Sequence, residues 1–125
     1  MENKKILIID DEEFFIQPIK MYFESKGSTV MTADDGLEGL NVARSELPNA
    51  IILDLMLPVI DGYHVCRLLK FDNQYKQIPI VIVSAKDTEY DRNLGKQSGA
   101  DLYITKPVNP AAIYEQIQEL LQKAI

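Results

Sequence analysis

Residues 50–62 read Ala50-Ile51-Ile52-Leu53-Asp54-Leu55-Met56-Leu57-Pro58-Val59-Ile60-Asp61-Gly62. An unbroken apolar run, Ala50 to Leu53, ends on a single carboxylate, and Pro58 with Asp61-Gly62 then turns the chain. A short run that is apolar at every position suits a strand covered on both faces, as in a parallel sheet between helices. Asp54 then stands where that strand emerges. In open α/β sheets this edge is where ligands bind.

Four further apolar runs flank this one: Ile6–Ile9, Thr29–Ala33, Ile80–Val83 and Leu102–Ile104. The stretches between them are long enough for helices, and several carry helical spacing. Phe15, Ile19, Tyr22 and Phe23 recur at i, i+4, i+7 and i+8, as do Ile113, Ile117, Leu120 and Leu121. Alternating strands and helices imply right-handed parallel crossovers. The expected fold class is α/β, a flavodoxin-like doubly wound (βα)5 sandwich with a five-stranded parallel sheet in the order 2-1-3-4-5.

The punctuation agrees with that alternation. Gly27 and Gly99 are placed to stop helices, and Thr88 with Asp91 is spaced as a capping box. Asn109-Pro110 offers an N-cap and a first-turn proline to the last helix. Pro18 falls inside the first helical pattern, which predicts a kink or a late start.

Composition bounds the function. The 125 residues are 46% hydrophobic and 26% charged, as expected of one soluble domain spanning 1–125 with its own core. One cysteine excludes a disulfide framework and fits a reducing, cytoplasmic setting. No apolar stretch is long enough to span a membrane, and a net charge of −6 argues against gripping nucleic acid.

The residues just beyond each strand carry the chemistry. Asp10 and Asp11 come after the first run, Asp54 after the third, Ser84 after the fourth, and Thr105 with Lys106-Pro107 after the fifth. In the expected order these ends share one edge. Crowded carboxylates repel, and a hard divalent cation relieves the repulsion. Oxygen ligands from Asp10, Asp11 and Asp54, completed by a backbone carbonyl and waters, suit Mg²⁺ rather than zinc. With Lys106 on the other side, Asp54 faces a place for a phosphoryl group, and the Ser84 hydroxyl can donate to its oxygens. Each group alone has a plainer reading, as a turn residue or as charge at a helix N-terminus. Glu12 and Glu13 fit the latter better than ligation. His64 and Cys66 read as surface and core, and Tyr103 alone reads as a half-buried strand aromatic.

Taken together, the pieces resemble the receiver domains of two-component response regulators, the CheY-like family. They are Ile-Ile-Asp-Asp-Glu-Glu at 8–13, residues 53–62, Val-Ser-Ala at 83–85, Gly-Ala-Asp at 99–101 and Tyr-Ile-Thr-Lys-Pro at 103–107. The resemblance covers essentially the whole chain. It implies that Asp54 accepts phosphate from a sensor histidine kinase or phosphotransfer protein. It further implies that Asp10, Asp11, Asp54 and the Met56 carbonyl hold Mg²⁺, and that Ser84 and Lys106 bind the phosphoryl group. Ser84 and Tyr103 are implied as the switch, Met56 and Lys86 as positions tuning dephosphorylation, and the bond before Pro107 as cis. No separate substrate is implied. The domain promotes only its own phosphoryl transfer and its slow loss, acting as a monomer or a phosphorylation-dependent homodimer on a target or output domain that the sequence does not name.

The fourth helix has few apolar anchors beyond Tyr90 and Leu94, so the face from it to the last helix is the expected output surface. Asp101-Leu102-Tyr103 departs from the family's Asp-Asp-Tyr, and the last helix carries only Lys123 as a basic residue. There are two rivals, an enzyme that also uses a strand-end aspartate and an interaction module on the same fold. A Mg²⁺-dependent phosphatase with an aspartyl nucleophile usually needs a second acid two residues on, where Met56 stands. A phosphorylation-independent interaction module would lack the acidic pair, the acceptor or the lysine, and all are present. A nucleotide site is disfavoured, because no Gly-rich loop comes after the first strand.

Overall fold

The structure, a computed structural model, describes residues 1–123. Strands and helices alternate in the order β1 (Lys5–Ile9), α1 (Glu13–Ser25), β2 (Thr29–Ala33), α2 (Gly36–Glu46), β3 (Ala50–Leu53), α3 (Gly62–Lys70), β4 (Ile80–Ser84), α4 (Glu89–Gln97), β5 (Leu102–Thr105) and α5 (Pro110–Lys123). The strands form one parallel sheet in the order β2-β1-β3-β4-β5. This is the flavodoxin-like arrangement, and three strands run one residue beyond the apolar runs that announced them.

Coverage on both faces explains the continuous apolar runs. Ile6 and Ile8 of β1 pack with Ile16, Ile19 and Phe23 of α1 and with Ile113 and Ile117 of α5. Leu7 and Ile9 turn to the opposite layer, with Leu40 and Ala43 of α2 and Val65 and Leu69 of α3. The central strands β3 and β4 divide their side chains the same way. The edge strands β2 and β5 are only partly buried, which is why β2 reads as a mixed run.

Helix α1 starts at Glu13 and continues through Pro18, so the late start does not occur. An interior proline costs about 3 kcal/mol. Burying Ile16, Ile19 and Phe23 at about 1.5–3 kcal/mol each outweighs that cost. The buried stripe includes Ile16 in place of Phe15, which is half-buried and serves the site described below.

The punctuation holds. Gly27 and Gly99 have φ of 92° and 94°, the left-handed conformation that closes α1 and α4. Asn109 accepts from the Ala112 amide at 2.8 Å. Thr88 and Asp91 form the reciprocal capping box. Tyr90 is not an anchor of α4, being 70% exposed. That helix is held instead by Asp91, whose carbonyl accepts from the Tyr63 hydroxyl at 3.0 Å, and by Gly95, where an added Cβ would lie 2.8 Å from the Tyr103 ring.

Candidate functional site

Continued ladder bonds bring the strand ends together. The Asp10 amide donates to the Ala33 carbonyl at 3.0 Å, the Asp54 amide to Ile9 at 3.0 Å, and the Lys106 amide to Ser84 at 2.8 Å. Each polar residue at the end of an apolar run is therefore fixed by its neighbouring strand. Asp10, Asp54 and Ser84 are all buried. The Lys106-Pro107 bond is cis, as expected.

Lys106 is the hub. Its Nζ lies 2.7 Å from Glu12 Oε1, 3.0 Å from Asp10 Oδ2 and 3.7 Å from Asp54 Oδ2. The Phe15 ring lies beneath it, 4.1 Å from the amine to the centroid, a cation–π contact. At this edge the carboxylate oxygens of Asp10, Glu12 and Asp54 lie within 4.8 Å of one another. Asp11 is exposed and stands at the mouth. It lines a cleft of about 360 Å³ together with Glu12, Asp54, Met56, Ala85 and Lys106.

Burial raises the Asp54 carboxyl above the ordinary range, against the pull of the Lys106 charge, the Met56 and Leu55 amides and the Ser84 hydroxyl. Burial raises Asp10 as well, with the repulsion of Asp54 adding to it. Burial works to lower Lys106, but its bonds to Glu12 and Asp10 and the charge of Asp54 raise it on balance. Among the described residues, Asp54 Oδ1 is buried with no hydrogen-bond partner. Such an atom is costly unless something electropositive reaches it. An all-oxygen donor set around an unsatisfied carboxylate oxygen fits a hard divalent cation.

A second set of bonds leads away from the cleft. The Lys86 amide donates to Ser84 Oγ at 3.3 Å, and the Tyr103 hydroxyl donates to the Lys86 carbonyl at 2.7 Å. Arg92 stacks on the Tyr103 ring at 5.3 Å. The Lys86 peptide therefore joins the strand end at Ser84 to the aromatic on β5.

Glu12 and Phe15 are not legible in the sequence as site residues. Glu12 belongs to an acidic run at a helix start, and Phe15 to an apolar stripe. The signal that finds them is positional, since both lie on the turn directly after the Asp10–Asp11 pair. Met56 and Lys86 lie in the loops after β3 and β4 and line one cleft with Asp11. His64 is exposed and Cys66 buried, outside the cleft.

A family model described as the response regulator receiver domain matches residues 6–118. The alkaline phosphatase synthesis transcriptional regulatory protein PhoP of Bacillus subtilis is 42% identical over 98% of this chain, which spans 50% of that protein. Protein PilH of Pseudomonas aeruginosa is 34% identical, over 94% of this chain and 97% of that one. The solved receiver domain of the Francisella response regulator 1452 superposes with a TM-score of 0.89 at 31% identity, covering 98% of this chain and 100% of that one. The chain thus spans about half of PhoP but nearly all of PilH. No described helix is long and apolar enough to cross a membrane.

Proposed function

The chain belongs to the response regulator receiver family, and from that premise we propose that Asp54 is the phospho-acceptor of this domain. The donor is the phosphohistidine of a sensor kinase or phosphotransfer protein. The observation that carries the reading is Asp54 itself, buried at a strand end with one oxygen unpaired and an ammonium 3.7 Å from the other. An Asp54 oxygen bonds to phosphorus as the phosphorus–nitrogen bond of the donor imidazole breaks. Lys106 neutralises the charge that arrives, and Ser84 donates to a phosphoryl oxygen. Asp10, Asp11, Asp54 and the Met56 carbonyl are the proposed Mg²⁺ ligands. The ion would supply electrostatic stabilisation of the phosphoryl oxygens.

The output runs through the Lys86 peptide. A phosphoryl group brings about −1.5 to −2 charge, which draws the Ser84 hydroxyl toward it. Ser84 holds the Lys86 amide and Tyr103 holds the Lys86 carbonyl, so movement of one side chain is felt by the other. Tyr103 packs against α4 at Gly95 and Arg92, and the face formed by α4, β5 and α5 is the proposed contact surface for a target or output domain. Asp101 is committed on that face, accepting from Lys70 at 3.0 Å and from the Ile80 amide at 2.8 Å.

Incubation with a small phosphodonor and Mg²⁺ is expected to add one phosphoryl group to the intact mass, and a chelator is expected to suppress it. Uptake that ignores the chelator would remove the metal from this account. Turnover of a free phosphate ester at steady state would favour the phosphatase reading. Met56 is 58% exposed at the cleft, where a thioether cannot orient a water for in-line attack. Met56→Asn is therefore expected to shorten the phosphoryl lifetime, by roughly the fivefold that one hydrogen bond of about 1 kcal/mol to the attacking water is worth. An unchanged decay of the phosphorylated mass would count against this role for Met56.

A further inference from the structure

Resting on that reading, we propose that Glu12 is a positioning residue that holds Lys106 away from Asp54 until a phosphoryl group arrives. The Lys106 amine carries three N–H donors. Its shortest contact is with Glu12 at 2.7 Å, the next with Asp10 at 3.0 Å, while Asp54 at 3.7 Å lies outside hydrogen-bond reach. The ammonium therefore gives its hydrogen bonds to Glu12 and Asp10 and keeps only the longer ion-pair approach to the acceptor.

The cradle is built by one turn of chain. Glu12 is the N-cap residue of α1, yet its side chain makes no cap bond, which frees it for Lys106. Its own amide is fixed by Asp10 Oδ1 at 2.9 Å. Phe15, three residues on, places its ring under the same amine. The Glu12 side chain is 61% exposed against 1% for Asp10. Of the two close bonds the Glu12 one is screened by water and yields more easily. Loading Asp54 thus takes the amine from Glu12 first, and Glu12 sets part of the cost of that step.

Because Glu12 also approaches Asp10 and Asp54, the rival role is that of a Mg²⁺ ligand. The test compares the full chain with Glu12→Gln, Glu12→Ala and, as a charge control one residue on, Glu13→Gln. Glu12 makes no cap bond, so neither substitution at that position removes one. Initial phosphorylation by acetyl phosphate with Mg²⁺ is expected to rise about two- to fivefold in Glu12→Ala, the range of a partly exposed ion pair. Glu12→Gln, which keeps a neutral acceptor, falls in between, and Glu13→Gln matches the parent.

In the metal-free, unphosphorylated protein, carbon-13 lysine spectra report the hold directly. The Lys106 ε-methylene signal, displaced by the Phe15 ring current, is expected to relax toward the ordinary lysine position in both Glu12 variants, with Mg²⁺ affinity unchanged. A fall in Mg²⁺ affinity makes Glu12 a ligand and overturns the proposal. Equal acceleration in Glu13→Gln reduces the effect to net charge and does the same. Uptake by the parent with no change in rate in the Glu12 variants defeats the proposal alone. No uptake by any form, the parent included, defeats the phospho-acceptor reading and this proposal with it.

Discussion

Asp54→Asn is expected to end phosphoryl uptake altogether while making the folded chain more stable. The amide has no nucleophilic oxygen to offer, so the mass gain seen for the parent should vanish even at long incubation. Stability should move the other way because the parent holds a buried carboxylate with one oxygen unpaired. Lys106 keeps Asp10 and Glu12 as partners in the variant, so the substitution strands no ammonium. Burial raises the Asp54 carboxyl above its ordinary 3.8, so the folded state binds that proton more tightly than the unfolded chain. Between the unfolded and folded values, stability therefore falls as pH rises, and above the folded value the full penalty applies. The variant lacks this penalty. The stability difference between variant and parent should be smallest in acid, where the carboxyl is protonated in both states, and grow in the variant's favour as pH rises toward neutrality. Urea denaturation across that range reads it. A variant less stable than the parent at neutral pH would mean that Asp54 is better paired than its unpaired Oδ1 indicates.

The fold is legible because parallel central strands cannot hide. Covered on both faces, β1, β3 and β4 must be apolar along the run between their ends, and their register then dictates which residue comes next at the rim. Asp10, Asp54, Ser84 and Lys106 stand out in this way, as the polar groups where the apolar runs stop. The edge strand β2 is the weakest signal, for the same reason in reverse. Helix α1 shows the limit of periodicity. A stripe read at i, i+4, i+7 and i+8 from Phe15 catches Ile19 and Phe23, but burial falls on Ile16, while Phe15 is drawn to the Lys106 amine. Helix α4 defeats the same pattern because it is not held by an apolar stripe. A capping box, a tyrosine hydroxyl and a glycine replace the apolar anchors that periodicity detects. Nor does Asp10-Asp11-Glu12-Glu13 disclose which of its carboxylates close on one another. The α1 start turns Asp10 and Glu12 toward Lys106 and leaves Asp11 exposed at the mouth.

Gly62→Ala is expected to damage both stability and phosphoryl uptake, because the space it needs is occupied by the acceptor's own backbone. An added Cβ would lie 2.2 Å from the Asp54 carbonyl oxygen and 2.7 Å from the Leu55 Cα. No flexible side chain is there to give way, so the β3–α3 loop must move. That loop is closed tightly. The Gly62 amide donates to the Leu55 carbonyl at 3.0 Å, Ile60 to Pro58 at 2.9 Å around Val59 at φ 73°, and Gly36 to Pro58 at 3.2 Å. A branched residue at that φ is already strained, so the loop has little slack to absorb a further shift. Overpacking of this kind costs about 3 kcal/mol, the upper end of its usual range. The shift also carries the Asp54 peptide, and a misplacement of about 1 Å can cost roughly 10²-fold in rate. Gly27→Ala separates the two effects. Gly27 has φ 92° and closes α1 at the other end of the sheet, so alanine there should lower stability by about 1 kcal/mol or more and leave the initial rate of uptake unchanged. If Gly62→Ala unfolds within about 0.5 kcal/mol of the parent and takes up phosphate at the parental rate, the loop is compliant and does not position Asp54.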